Sequence, residues 1–356
     1  MSHRRFKTYG TAPSPRADEL RTVVESARRA QHHGLDGLLA FHNLRNLDPW
    51  AVASTILHHT ETVTPLVALP PHAMPPFTAA KLIHSLTRLH GRRVDVNLIT
   101  GAAGAELDQL GESLSHDQRY ERAVEYGTVL RSLLTTDAPL THAGHFYDYR
   151  ALRTNSALDA EHRPRIFVAG SSPAARRTVR AVADVAITHP EPVDRFVTTF
   201  VDADVEIGIR IGLLARDTDA QAWRIARARH PDDRRAELKT AMRKKSESEW
   251  SRRLAVLAGA GETFDEVYWT GAYRTDRGAM PLLVGSHRRV ADYLDRYLAL
   301  GVRTILLGGL DTEEDFRHAA VVLDDLGARP AADPEPTRPG QPVVGRAAKT
   351  SVSRRS

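Results

Sequence analysis

Three short runs of this 356-residue chain hold the residue types that can do chemistry. In Arg165–Arg177, RIFVAGSSPAARR, an apolar run leads into Gly170-Ser171-Ser172-Pro173 and then a helical stretch. Serine suits the N-cap and proline the first helical position. The free amides of that turn, two hydroxyls and the positive end of the helix dipole together make a phosphate cradle. An ordinary capped helix has the same sequence signature. In His116-Asp117-Gln118-Arg119-Tyr120 a histidine and a tyrosine stand four apart at a helix start. Both rings then share a face and either contact one ligand or pack. The run Val94–Gly101, VDVNLITG, places Asn97 and Thr100 toward the carboxyl end of a strand, where a buried asparagine needs a polar partner.

Other chemistries are excluded by what the chain lacks. With no cysteine, disulfides, thiolate metal sites and thiol nucleophiles are ruled out. There is no GxGxxG: Gly259-Ala260-Gly261 lacks the third glycine and a preceding strand, so a Rossmann dinucleotide site is not supported. Although the chain has 17 histidines, no HExxH or compact carboxylate–histidine set accompanies them, and no metal is expected. The net charge of +5 is matched by Arg338, Arg346, Lys349, Arg354 and Arg355, which follow Pro336 without an acid among them. The body is therefore neutral, and nucleic acid is not an expected partner. No run approaches the roughly 18–20 apolar residues of a membrane span. The first thirty residues carry Arg4, Arg5, Lys7, Asp18 and Glu19 in place of a signal-peptide core, so a cytoplasmic protein away from the membrane is expected.

The elements that must position these residues alternate between apolar runs and amphipathic stretches, the pattern of repeated βα units. Eight strands are predicted: Arg5–Tyr9, Gly37–Phe41, Thr64–Leu69, Val94–Thr100, Arg165–Ala169, Val185–Thr188, Val205–Leu214 and Thr304–Leu307. Eight favours a closed (β/α)8 TIM barrel over an open sheet. Gly34 and Gly301 stand where two helices should stop. Two intervals, about 135–164 and 229–280, are too long for loops and are read as insertions on the C-terminal face, where ligands bind. The barrel is expected over residues 1–327. A Pro-, Ala-, Arg- and Ser-rich basic tail, 328–356, has too few apolar residues to order itself.

Taken together, VDVNLITG, HDQRYERAVEY, RIFVAGSSPAA, GIRIGLLARDTDAQAW and LLVGSHRRVADYLDRYLALGVRTILLGG, in this order and at these separations, resemble the alkanesulfonate monooxygenases among the luciferase-like flavin monooxygenases. The resemblance runs from about Arg5 to Leu326. It implies a barrel that binds FMN, delivered reduced by a separate NAD(P)H:flavin reductase, and forms a peroxyflavin with O2. That species oxygenates a small organic substrate; from an alkanesulfonate it would release sulfite and an aldehyde. Carried over by motif, Asn97, Thr100, His116 and Tyr120 are flavin contacts, and Ser171 and Ser172 hold its phosphate. Arg210 in GIRIG contacts the anion or peroxide, and Arg277 matches a second arginine on a mobile lid, although a surface loop charge is an equal reading. A dimer or tetramer is also implied.

The chain departs from this pattern. Gly212 stands in place of a histidine, and Leu310 stands near the place of an active-site tyrosine. Asp311 or Thr312 takes the place of another histidine, Asn46 that of a cysteine, and Thr11 or Ala12 that of a further histidine. Such losses put the sulfonate chemistry in doubt, because a missing donor in a dry site costs orders of magnitude in rate. His42, His72 and His189, near the ends of strands two, three and six, are candidates for the vacated polar roles or for surface positions. A deazaflavin-dependent oxidoreductase transferring hydride, and a non-catalytic flavin-binding protein, are the two other readings.

Overall fold

Runs of four to eleven residues rich in Val, Ile and Leu cannot satisfy their own backbones and must pair laterally. The computed structural model describes residues 4–13, 19–101, 104–154, 157–196, 205–231, 248–275 and 280–329. In it these runs become β1 (Lys7–Thr11), β2 (Gly37–Ala40), β3 (Thr64–Leu69), β4 (Asp95–Leu98), β5 (Ile166–Ala169), β6 (Val185–Thr188), β7 (Glu206–Arg216) and β8 (Val302–Gly308). All pair in parallel, and the ring closes because β8 bonds both β7 and β1. The chain is therefore a (β/α)8 barrel, and every predicted strand coincides with a ring strand to within two residues at either end. Closure leaves no edge strand in the ring.

The helices start and stop where local chemistry dictates. Asp48, Ser115, Ser172 and Thr312 cap their helices through side-chain oxygens, and Ser115 and Thr312 form full capping boxes. Gly34, at φ 70°, ends the first helix: its amide donates to Gln31 and the Leu35 amide to Ala30 at 2.9 Å, in a left-handed turn that L-residues resist.

Inside the ring, Tyr9, Leu39, Leu66, Phe167, Ile187 and Leu306 fill the interior, with the Tyr9 and Phe167 rings edge to face at 5.4 Å. Below them a polar plug closes the amino end. Asp95, fully buried, accepts from the Tyr9 hydroxyl at 2.9 Å and the Arg165 amide at 2.8 Å and pairs with Arg93 at 2.9 Å. Arg165 in turn pairs with Glu206 at 2.7 Å, and Glu206 also accepts from Thr304. The amino end is thus sealed, so ligands must enter at the carboxyl end.

Three regions differ from the sequence expectation. First, β7 outruns the ring, and its end, Gly212–Arg216, pairs in parallel with a further strand, Leu282–Ser286, which an antiparallel ribbon at Thr263–Phe264 and Tyr268–Trp269 extends. Second, the 135–164 insertion follows a helix, His116–Thr135, not a strand, so it begins at the amino face. It is a hairpin, Leu140–Ala143 with Asp148–Leu152, that folds back along that helix. The Glu125 carboxylate, accepting from the amides of His145, Phe146 and Tyr147, holds the hairpin turn up near Pro71. Only its tip reaches the face to which the whole insertion was assigned. Third, the last helix runs through Ala328, and Arg329 pairs with Asp292 and Asp325, so the fold extends past the expected boundary at 327. The rest of the expected tail, 330–356, lies outside the described residues. Among the described residues no helix is long and apolar enough to cross a membrane.

Candidate active site

Parallel strands turn all their carboxyl ends one way, so side chains from different strands converge above the core. Here they surround a cavity of about 340 Å³. His42 follows β2, His72 follows β3, Asn97 and Thr100 come from β4, Ser171 and Ser172 follow β5, His189 follows β6, and Arg210 lies on β7. Leu39, Ile99, Leu107, Ile187 and Leu306 supply apolar walls.

The serine turn is built as a donor cradle. Ser172 is the N-cap of the helix Pro173–Val182 and accepts from the Ala175 amide at 3.2 Å. Arg176 fixes the turn by donating to the Ser171 carbonyl at 2.8 Å. Ser171 is one of the residues lining the cavity, and its hydroxyl is buried with no partner within the protein. Gly170 sits at φ 141°, and a Cβ there would meet the Tyr120 hydroxyl at 2.6 Å and the Ala175 Cβ at 2.7 Å, so only glycine lets the phenol approach. Tyr120 donates to the Ala169 carbonyl at 3.4 Å, beside the hydroxyls of Thr100 and Ser172. Burial raises its pKa above the ordinary phenol value, so it remains a neutral donor. The His116 ring stands 5.0 Å from it, held by Asp117 at 2.7 Å.

Across the cavity the electrostatics change. Arg210 is half-buried with its Nε unpartnered; burial lowers its pKa, but a guanidinium stays cationic at neutral pH. His189 stacks on Trp250 at 3.6 Å and 18°. Burial, reinforced by the Arg210 charge, pushes its pKa well down and keeps it neutral. The buried Asn97 Oδ1 also lacks a protein partner. A phosphate-bearing planar ligand fits this arrangement: the orphaned Ser171 hydroxyl and helix terminus suit its anion, and the apolar walls with Asn97 and Tyr120 suit a ring edged with polar atoms.

Of the residues singled out from the sequence, Asn97, Thr100, His116, Tyr120, Ser171, Ser172 and Arg210 all line this one cavity, and so do His42, His72 and His189. Arg277 lies outside the described residues. The family departures lie elsewhere. Leu310 and Ala12 are buried in the outer core, Thr11 donates to the Leu307 carbonyl, Thr312 caps the last helix, and Asn46 folds onto Asn43. Trp250 and Glu249 were missed, because their helix, Glu249–Ala260, read only as part of an insertion. The structure also gathers Asp217, His287 and His318 within 4.8 Å, a set too dispersed in the chain to be read from spacing. The two rings already satisfy each other through a 2.7 Å hydrogen bond, and burial lowers both pKa values.

Gly212 has a packing reason. A Cβ there would strike the Leu282 side chain and come within 3.3 Å of the Pro281 carbonyl, because Leu282–Ser286 lies against β7 at this point. Restoring the histidine, Gly212→His, is expected to cost about 1–3 kcal/mol in urea unfolding by overpacking. Gly212→His/Leu282→Ala should recover part of that loss. Equal stability of Gly212→His and the parent would refute this packing account.

The family model for luciferase-like monooxygenases matches residues 2–304. The chain is 43% identical over 312 residues, 86% of its length and 92% of the relative's, to the 4-(gamma-L-glutamylamino)butanoyl-[BtrI acyl-carrier protein] monooxygenase BtrO of Niallia circulans. Among solved structures it resembles the EDTA monooxygenase EmoA of Chelativorans sp. BNC1, with a TM-score of 0.72 and 18% identity over 92% of this chain and 96% of that one. The coenzyme F420-dependent tetrahydromethanopterin reductase of Methanopyrus kandleri shares the fold at a TM-score of 0.63 and 12% identity over 88% and 97% of the two chains. With the family model spanning most of the chain and a relative this similar over nearly its whole length, the chain belongs to the luciferase-like family and is a flavin-dependent monooxygenase.

Proposed function

We propose that the chain binds reduced FMN, supplied by a separate NAD(P)H-dependent reductase, and oxygenates an acyl group presented as a thioester on an acyl-carrier protein. The observation that supports this best is the buried, unpartnered Ser171 hydroxyl at a helix N-terminus, beside a cavity that the cationic Arg210 also lines. The carrier-linked substrate named for the Niallia circulans relative supports the substrate class. An alkanesulfonate, with Arg210 gripping the sulfonate, is the second reading, favoured by the unpartnered Nε of that arginine.

When bound, FMNH2 would supply two electrons and O2 both oxygen atoms, one entering the substrate and the other leaving as water. The chain's own residues bind and orient. Ser171, Ser172 and the first-turn amides would hold the phosphate. Tyr120, Thr100, His116 and Asn97 would fix the ring through hydrogen bonds. Arg210 holds negative charge on the substrate or on the oxygen being transferred, and the Trp250–His189 stack, with the apolar walls, excludes water.

Ser171→Ala/Ser172→Ala should weaken FMN binding by roughly tenfold or more in a fluorescence titration, with about 1 kcal/mol lost from the helix cap. An unchanged dissociation constant would remove the cradle from the account. Oxygenation of one acyl chain on a carrier protein, compared with sulfite release from short and long sulfonates, separates the two substrate readings. Preference for reduced deazaflavin over reduced FMN would reassign the cofactor.

A further inference from the structure

Resting on the carrier-linked reading, we infer that a second chamber beside the active-site cavity receives the pantetheine arm of the carrier-bound thioester, with His42 and His72 standing between the two. A carrier protein cannot enter a barrel mouth, so its acyl group must arrive at the end of a thin arm. The passage must be continuous with the site, open to solvent, and both apolar and polar, because that arm combines a dimethyl-bearing carbon with amide links and a hydroxyl.

The chamber meets each requirement. It measures about 700 Å³, is more open than the site cavity, and shares His42, His72 and Leu110 with it. Its wall comes from three segments distant in the chain: Pro71–Pro75 after β3, Leu110–Glu112, and the hairpin turn at Phe146–Tyr147. Met74, Phe146 and Tyr147 give it apolar surface, and the Glu112–Arg122 ion pair gives it donors and acceptors. The Glu112 carboxyl is fixed there: burial alone would raise its pKa, but Arg122 and the Leu114 amide hold it below the usual range.

The seam between the two cavities is unusual as a bare surface. Leu44 is 39% exposed and Leu110 47% exposed, two large apolar side chains left at the rim. The His42 and His72 rings meet edge to face at 6.4 Å. Neither nitrogen of His72 has a hydrogen-bond partner, although Nδ1 lies 3.9 Å from Glu112. Burial and then the Arg122 charge lower its pKa, which favours the neutral ring.

The test loads one acyl group on three carriers of decreasing reach: the carrier protein, coenzyme A, and N-acetylcysteamine, which keeps the thioester but lacks most of the arm. Ala73→Trp adds bulk at an exposed alanine of the wall, away from the cofactor cradle, and Met74→Trp does so at a half-buried position. Each variant should lower kcat/KM roughly tenfold or more for the carrier-protein and coenzyme A substrates, while the N-acetylcysteamine substrate changes less than about twofold. Equal losses on all three, or none, would overturn the chamber's role. Loss on the coenzyme A substrate with turnover of no carrier-protein substrate would keep the chamber and identify coenzyme A as the source. If wild-type protein oxygenates no thioester at all, the substrate reading fails by itself. The chamber is then judged by binding of a fluorescent pantetheine probe to the FMN-loaded protein: wild-type binding weakened at least tenfold by Ala73→Trp upholds it, and equal affinity overturns it.

Discussion

Arg210→Ala is expected to lower kcat/KM by about 10²–10³ while the protein remains folded and still binds FMN. The guanidinium is half-buried, its Nε has no hydrogen-bond partner, and burial lowers its pKa, so the fold maintains a cation that no ion pair among the described residues offsets. Such a charge earns its place only when an anionic group arrives. Its loss should therefore leave unfolding free energy unchanged or slightly raised, while the rate collapses. Arg210→Lys keeps a cation but not the planar fork, and should fall between the two. Steady-state kinetics with urea unfolding of the same three proteins decides it. A stability loss as large as the activity loss would make Arg210 a structural residue.

Asp95→Ala should have the largest effect on stability, about 3–5 kcal/mol. Three groups depend on that one buried carboxylate: the Tyr9 hydroxyl, the Arg165 amide and the Arg93 guanidinium. Removing it leaves the buried Tyr9 hydroxyl, the part-buried Arg165 amide and the partly exposed Arg93 guanidinium without that partner. Asp95→Asn retains an acceptor and should cost markedly less. Urea denaturation compares the two. Near-equal losses would mean that the plug is held by packing alone.

The barrel was legible in the sequence because several ring strands are buried on both faces and read as short apolar runs, as Gly37–Ala40, Ile166–Ala169 and Val185–Thr188 do. The serine turn was legible because N-cap and Pro-at-N1 rules are local, and the structure places Ser172 and Pro173 in those roles. Arg210 was found through family resemblance; its spacing alone says nothing. What stayed hidden depends on contacts between distant segments. The pairing of Leu282–Ser286 with the end of β7, which explains Gly212, is a register choice that no local pattern encodes. The insertion at 135–164 is read onto the C-terminal face from its length alone, whereas Tyr147 and Tyr149 of its hairpin pack against the core. Trp250 reached the site from a helix whose polar composition concealed it.

The extended β7 has an evolutionary corollary. The stretch between Arg216 and Leu282 leaves the barrel and returns to it at two points joined by a five-residue ladder, Gly212–Arg216 against Leu282–Ser286. A loop whose ends are already stitched together can be lengthened, shortened or swapped at an entropic cost that grows only with the logarithm of its length. The segment that brings Trp250 over the cavity is therefore a cassette: a descendant could acquire new substrate preferences by exchanging it, provided the replacement still fills the core positions that Leu254, Leu257 and Tyr273 occupy.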